Sequence, residues 1–348
     1  MKNSRWTTIL PLTLLALMGC TLDVEAPGQE GAATASEDEN LAASSAAIRG
    51  GTYITDEREQ FLTVALPNCT GTIIGPRHIL TAAHCGTMPG EAVSFYKGPL
   101  PDRSLDRSVS QVFIRPGVVL GGEEPKTWPP QDGEELKDTN GKFADILVAV
   151  LDREIPAGYE MAWLPEHYPG NNQWGTVVGT GHHGGYDNPM RRMAKKWFKT
   201  YSSNHDDGHF LTNQADTDDG DSGGPFFWWG GGGPVLLGPL YGKRWEWALR
   251  GKFTSVAMHL RSVLYAMGMG TLENNTQYFQ FDYRQVATTS ALHCAVICAQ
   301  DSRCRAYTHD GPQCWLKEST FPPSTARSGF TSGMKFVFPG CTADVCEM

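Results

Sequence analysis

Apolar residues in this chain come in short stretches separated by turn-forming residues, and that spacing limits the folds open to it. Phe61–Leu66, Ile79–Ala83, Val109–Ile114, Ile146–Leu151, Thr176–Val178, Val235–Leu237 and Phe253–Val256 are each six residues or fewer. Stretches of this length between turn signals read as strands of an all-β sandwich or barrel. With 39 glycines and 22 prolines in 348 residues, long helices and coiled coils are excluded. Met258–Met267, just after the last stretch, is the one good helix candidate of this region. After residue 20 no apolar run approaches the ~20 residues of a membrane-spanning helix. A net charge of −9 argues against a phosphate-backbone partner, so no nucleic acid is expected.

Lys2 and Arg5 precede a mostly apolar stretch from Trp6 to Met18, which runs into Gly19-Cys20. A positive start, a short apolar core and a small residue before the cut describe a secretory signal peptide over residues 1–20. The Leu17-Met18-Gly19-Cys20 ending resembles a bacterial lipobox. That resemblance implies that Cys20 becomes the first mature residue and carries lipid. The expectation is an exported protein of the bacterial cell envelope, joined to the membrane only through that lipid, or extracellular after release. Setting Cys20 aside, nine cysteines become eight, an even set suited to disulfides in an oxidising compartment. Residues 21–47 hold six acids (Asp23, Glu25, Glu30, Glu37, Asp38, Glu39) and no Lys, Arg or aromatic residue. Such a segment has too little apolar surface to offset its ordering entropy, so it reads as a flexible acidic tether or propeptide.

Three segments between residues 48 and 270 carry chemistry. Thr81-Ala82-Ala83-His84-Cys85 ends an apolar strand, and Ala144-Asp145-Ile146-Leu147-Val148 opens another. Gly220-Asp221-Ser222-Gly223-Gly224-Pro225 is a glycine-rich turn centred on a serine. Acyl transfer by serine needs a base for the hydroxyl proton and an acid that holds the base in one tautomer. It also needs backbone N–H donors for the oxyanion, and glycines let such a loop approach the substrate closely.

Together these segments resemble the chymotrypsin/trypsin (S1) family of serine proteases, whose chain order His, Asp, Ser they share. The resemblance implies a mainly β chain, with a double six-stranded β-barrel and a terminal helix over residues 48–270. It makes His84 the general base, Asp145 its orienting partner and Ser222 the nucleophile, with the N–H groups of Gly220 and Ser222 as oxyanion hole. Asp216, six residues before the nucleophile, would lie at the base of the substrate pocket, with Gly242 and Gly251 keeping it open. A buried carboxylate there implies cleavage after Arg or Lys. Cys69 and Cys85 would be disulfide-bonded, and Gly179-Thr180-Gly181 stands where the family has Gly-Trp-Gly. Ile48-Arg49-Gly50-Gly51 resembles the Ile-Val-Gly-Gly start of the mature enzymes. Cutting after Ala47 by another protease, in trans, would then free the Ile48 amine to pair with Asp221.

Some residues depart from the family. Gly117–Asn140 is a Pro/Gly/acid-rich insertion, Asp218 occupies a cysteine's place, and Leu240-Tyr241-Gly242 replaces Ser-Trp-Gly. Arg49 stands in place of an apolar second residue. Asp216–Asp221 could pass for a calcium loop but lacks the downstream Glu. His182-His183 and His205-Asp206-Asp207-Gly208-His209 have no Cys or HExxH partner. Neither a metal nor a cofactor is therefore expected. The basic stretch Arg191, Arg192, Lys195, Lys196 and Lys199 reads as an exposed loop and strand.

Six cysteines fall in the last 55 residues: Cys294, Cys298, Cys304, Cys314, Cys341 and Cys346. Small domains with thin cores are commonly stapled this way. Ala291–Gln300 spaces two of them at i and i+4 on one helix face, and the segments from Cys304 and Cys314 read as strands. Spacing alone leaves all 15 connectivities open. The pattern is similar to the PAN/apple module, a small disulfide-rich α+β unit, here residues 275–348. That similarity implies Cys294–Cys314 and Cys298–Cys304, leaving Cys341 with Cys346, and a protein or glycan ligand. The whole reading is an exported serine endopeptidase acting on protein or peptide substrates, with a C-terminal binding module. The alternative is a non-catalytic adhesion protein on a protease-like fold, and the intact triad favours the enzyme.

Overall fold

The computed structural model describes residues 48–49, 51–54, 61–98, 100–116, 118, 136–181, 194–204, 207–217, 220–230, 232–245, 249–336 and 345–348. The signal-like stretch with Cys20, the acidic tether, most of the 117–140 insertion, His182-His183, Arg191-Arg192, Asp218 and Cys341 lie outside the described residues.

The short apolar stretches become strands. In chain order the first are β1 (Thr52–Tyr53), β2 (Thr63–Ala65), β3 (Thr70–Gly75), β4 (His78–Thr81), β5 (Ala92–Tyr96), β6 (Pro101–Ile114) and β7 (Leu147–Leu151). They pair in the order β6-β5-β2-β3-β4-β7, and β6 pairs again with β7, which closes a six-stranded barrel. Closure leaves no open edge on these short strands. Val64, Ile73, Ile79, Phe95, Val112 and Leu147 fill the interior.

A second barrel follows: β8 (Trp174–Gly179), β9 (Ala194–Asn204), β10 (His209–Thr212), β11 (Pro225–Gly230), β12 (Gly233–Trp245) and β13 (Leu249–Thr254). Their order is β9-β10-β13-β12-β11-β8, closed by β8 against β9, while β1 adds to the outside of β9. Phe210 stacks on Phe253 at 5.2 Å, and Phe226 meets both edge-on. The helix α1 (Val256–Ala266) starts two residues earlier than the apolar pattern suggests. Its buried face of Val256, Leu260, Val263 and Leu264 has the i, i+4, i+7, i+8 spacing of a helix lying on a core.

The C-terminal region is a five-stranded antiparallel sheet with one helix. Its elements are β14 (Glu273–Tyr278), β15 (Asp282–Ala287), α2 (Ala291–Gln300), β16 (Ala306–His309), β17 (Gln313–Lys317) and β18 (Ser324–Met334), with strand order β14-β18-β16-β17-β15. Ser290 caps α2 by accepting the His293 N–H at 2.9 Å. Cys294 is bonded to Cys314 and Cys298 to Cys304, which staple α2 to the sheet and to the loop after it. Cys346 is also disulfide-bonded, and its expected partner Cys341 lies outside the described residues.

The barrels and the C-terminal sheet share a buried core. Residues 41–348 group as one compact unit. One buried cluster joins Ile74, Leu80 and Leu264 with Cys294, Val296 and Tyr307. The Gln300 amide donates to the carbonyls of Ile74 at 3.0 Å and Ala162 at 2.7 Å, reaching from α2 into the first barrel. The strand β19 (Val345–Glu347) lies parallel to β6, and the Met348 N–H donates to the Ile114 carbonyl at 2.9 Å. Lys335 Nζ donates to the carbonyls of Cys298, Ala299 and Asp301 at the end of α2. Burial, with a push from Arg305, lowers its pKa to about 8. Residues 270–275 thus mark a change of sheet and no break in packing. No described helix is long and apolar enough to cross a membrane.

Candidate active site

His84 sits in the short turn Ala83–Cys85 that follows β4, ended by Gly86 in the left-handed region and tied back by the Cys69–Cys85 disulfide. Asp145 lies two residues before β7 and is wholly buried. Its two oxygens accept from the same residue: Oδ1 from the His84 backbone N–H at 2.8 Å, and Oδ2 from His84 Nδ1 at 2.7 Å. A carboxylate bonded to Nδ1–H leaves Nε2 as the basic nitrogen. The segment before Asp145 is held from the second barrel and from α1. Thr254 Oγ1 donates to the Asp145 carbonyl at 2.8 Å, and His259 Nε2 donates to the Phe143 carbonyl at 2.8 Å.

The Ser222 turn is locked onto the strands that carry His84. Thr70 N–H donates to the Ser222 carbonyl at 2.8 Å, and Thr70 Oγ1 to the Gly220 carbonyl at 2.8 Å. Thr81 Oγ1 in turn donates to the Thr70 carbonyl at 2.8 Å. Gly223 has φ of +76°, and a Cβ on it would lie 2.0 Å from Thr81 Oγ1. Only glycine allows an approach that close with that backbone. The Gly223 N–H donates to the Leu240 carbonyl at 2.7 Å, so the turn is fixed from the β12 side as well.

Asp221 is wholly buried, with Oδ1 accepting the Gly181 N–H at 3.1 Å. Ile48 is also wholly buried, in the cluster that contains Val177, Phe198 and Phe226. The Arg49 N–H donates to the Asp216 carbonyl at 2.8 Å, which ties this segment to the loop before the serine.

Asp216 departs from the sequence reading. Its side chain is 38% exposed, and its carboxylate is ion-paired with Lys196 Nζ at 2.8 Å. It is not the buried, waiting carboxylate expected at a pocket base. The reason is positional: β1 pairs with β9 at Thr52 and Lys195, so the next residue, Lys196, reaches both the Arg49 carbonyl at 3.3 Å and Asp216. Gly242 lies opposite Lys252, and Gly251 opposite Lys243, on neighbouring strands. The Gly251 N–H donates to the Gln214 carbonyl at 3.0 Å, and a Cβ there would come within 2.7 Å of Thr212 Oγ1.

Tyr241, met in the sequence only as part of Leu240-Tyr241-Gly242, and two buried cations complete the surroundings. Tyr241 presents its ring edge-on to His84 at 5.4 Å and to Phe143 at 5.1 Å. Lys252 is buried with its ammonium 3.9 Å from the centre of the Phe143 ring and 5.4 Å from that of Tyr241. Arg250 is buried with its guanidinium 3.3 Å over Tyr201, and it donates to the Thr212 carbonyl at 3.2 Å. Such cations are held by the negative faces of the rings.

Two closed six-stranded barrels, with His84 and Asp145 supplied by the first and the serine turn by the second, are the architecture of the two-barrel serine proteases. The family model described as Trypsin matches residues 51–244, more than half of the chain, and the chain belongs to the trypsin family. Among solved structures, neuropsin, a serine protease expressed in the limbic system of mouse brain, is similar at 20% sequence identity. The match covers 62% of this chain and 98% of neuropsin, with a TM-score of 0.47. No curated protein sequence matches the chain.

Proposed function

We propose that the chain is an exported serine endopeptidase that cleaves peptide bonds through Ser222, His84 and Asp145. The observation that carries this reading is the grip of the buried Asp145 on both the backbone and Nδ1 of His84. Nε2 is then the site that takes the Ser222 hydroxyl proton as Oγ attacks the carbonyl carbon, and later returns it to the leaving amine. The N–H groups of Gly220 and Ser222 stabilise the oxyanion; the Gly220 and Ser222 carbonyls, both bonded to Thr70, flank the peptide that carries the Ser222 N–H. Water then hydrolyses the acyl-enzyme through the same base.

Activation follows from cleavage after Ala47 by a protease that accepts small residues. The new Ile48 amine pairs with Asp221, and the burial of both residues supports this. A preference for basic residues before the scissile bond requires the substrate cation to displace Lys196 from the partly exposed Asp216 carboxylate. The C-terminal sheet serves as a protein- or glycan-binding module, and the lipid on Cys20 ties the uncleaved chain to the envelope. A fluorophosphonate probe tests the catalytic reading on protein cleaved to begin at Ile48. Labelling that is present in the parent and absent in Ser222→Ala supports it. A folded parent that stays unlabelled overturns it and leaves the non-catalytic binding protein.

A further inference from the structure

A cavity of about 330 Å³ opens on the C-terminal sheet, within the size range of small-molecule sites. Aromatic residues contribute to its lining: Phe279, Trp315 on β17 and Phe330 on β18, with the buried Tyr278 at the end of β14. The polar groups between them are fixed by internal bonds. Asp310 accepts the Trp315 indole N–H at 3.1 Å and the Gln313 N–H at 3.1 Å. Lys317 is buried against Asp282. Arg327 donates to Gln277 Oε1 at 2.9 Å and lies 4.4 Å over the Phe330 ring.

Two cations and two carboxylates leave the cavity without net charge, which gives neither an anion nor a cation an advantage. The bonded groups still have capacity to spare. Each carboxylate has further lone pairs, the Gln277 amide keeps its two N–H donors, and Arg327 has N–H groups beyond the one in use. A sugar ring matches this set, because its hydroxyls donate and accept while its C–H faces pack on aromatic rings. Groups already held in place lose little freedom when such a ligand binds. The backbone beside the cavity adds to the case. Gln280 (φ 67°) and Phe281 (φ 60°) are consecutive left-handed non-glycine residues between Phe279 and Asp282, and Asn275 (φ 56°) lies on β14. Strain of this kind persists where a turn must present its neighbours to a ligand.

We infer that this cavity binds an uncharged saccharide, one or two rings of a neutral glycan. The inference deepens the reading of the C-terminal sheet as a binding module and rests on it, while the peptidase reading stands apart.

The test uses the full chain with Ser222→Ala, to prevent self-cleavage, titrated by isothermal calorimetry. The probes are cellotriose, maltotriose, mannotriose, N,N′,N″-triacetylchitotriose and lactose, with a sulfated heparin disaccharide and a short acidic peptide as controls. The expected result is binding of at least one neutral probe, weakened tenfold or more by Arg327→Ala with an unchanged melting temperature, and weakened likewise by Trp315→Phe in protein that remains folded at the temperature of the titration. Arg327 is exposed at the rim, so its variant reads the site without a folding cost. Binding of no neutral probe, binding of the controls alone, or neutral binding that survives Arg327→Ala overturns the inference. Fluorophosphonate labelling of the Ser222 parent reports on the peptidase by itself, so failure of one reading is not mistaken for failure of the other.

Discussion

His259 couples the stability of the fold to the placement of Asp145, and its protonation should be measurable. The residue is 2% exposed on α1 and donates from Nε2 to the Phe143 carbonyl, so Nδ1 is the atom that would take a second proton. Burial lowers its pKa from 6.5 to about 4, opposed slightly by the carbonyl bond, with Arg115 lowering it further and Asp138 raising it. The unfolded chain therefore binds this proton first as pH falls. The stabilisation is complete above pH 6.5, declines toward pH 4 and is absent below that. A difference of ~2.5 units at ~1.36 kcal/mol each is roughly 3 kcal/mol. Urea unfolding of the Ser222→Ala protein at several pH values from 7 to 4 measures it, alongside the same protein with His259→Gln. Glutamine keeps an N–H for the Phe143 carbonyl and does not titrate. Carboxylates and His78, which burial and then Lys335 and Arg77 hold down to about 3, are common to both proteins and cancel. The expected result is a steeper fall of about 3 kcal/mol in the protein that keeps His259. Parallel curves for the two proteins would refute the reasoning.

Ser222→Ala and His84→Ala should each reduce turnover of a peptide substrate by on the order of 10⁴ or more, and Asp145→Asn nearly as much. More than a tenth of parental activity in any of them contradicts the assigned roles. Lys196→Met removes the internal partner of Asp216 and should raise kcat/KM for arginine over leucine before the scissile bond by roughly tenfold, a gain that Asp216→Ser abolishes. An unchanged ratio would show that Asp216 does not face the substrate. Gln300→Ala strips two barrel carbonyls of their donor and should cost roughly 2–3 kcal/mol in a single urea transition. A separate early transition that leaves the barrels folded would contradict the shared core.

The all-β class was legible because the strands are short and apolar, which left sandwich and barrel open, and the two barrels came with the resemblance to the trypsin family. The basic stretch of β9 was read as an exposed loop and strand, and what Lys195, Lys196 and Lys199 concealed is the inner face that Ala194 and Phe198 bury. The union of the C-terminal sheet with the first barrel did leave a trace in the sequence. Ala291–Gln300 carries apolar residues around its whole circumference, and Cys294, Ala295, Val296, Ile297, Cys298 and Ala299 are all buried. A helix apolar on every side must be covered on every side, and one small sheet covers only one. The cysteines drew attention to a self-sufficient module, whereas the helix composition pointed to a second neighbour, the barrel segment around Ile74 and Ala162.

The positions that sequence could not reach share one cause. Motif spacing places Asp216 six residues before Ser222, but the direction of its carboxylate depends on Lys196, which reaches it only through the pairing of β1 with β9. Phe143 shows the same dependence closer to the chemistry. Its carbonyl is held by His259 from α1, its ring lies under Lys252 from β13, and its edge contact is with Tyr241 from β12, which also meets His84. Three segments of the second half thus set the position of a residue two places before Asp145. Lys252 is charged, as a surface strand residue would be, yet it is buried, with its ammonium over the rings of Phe143 and Tyr241. A variant at Lys252 or His259 therefore acts on Asp145 through Phe143, and its effect on turnover should track displacement of Asp145 more closely than loss of global stability.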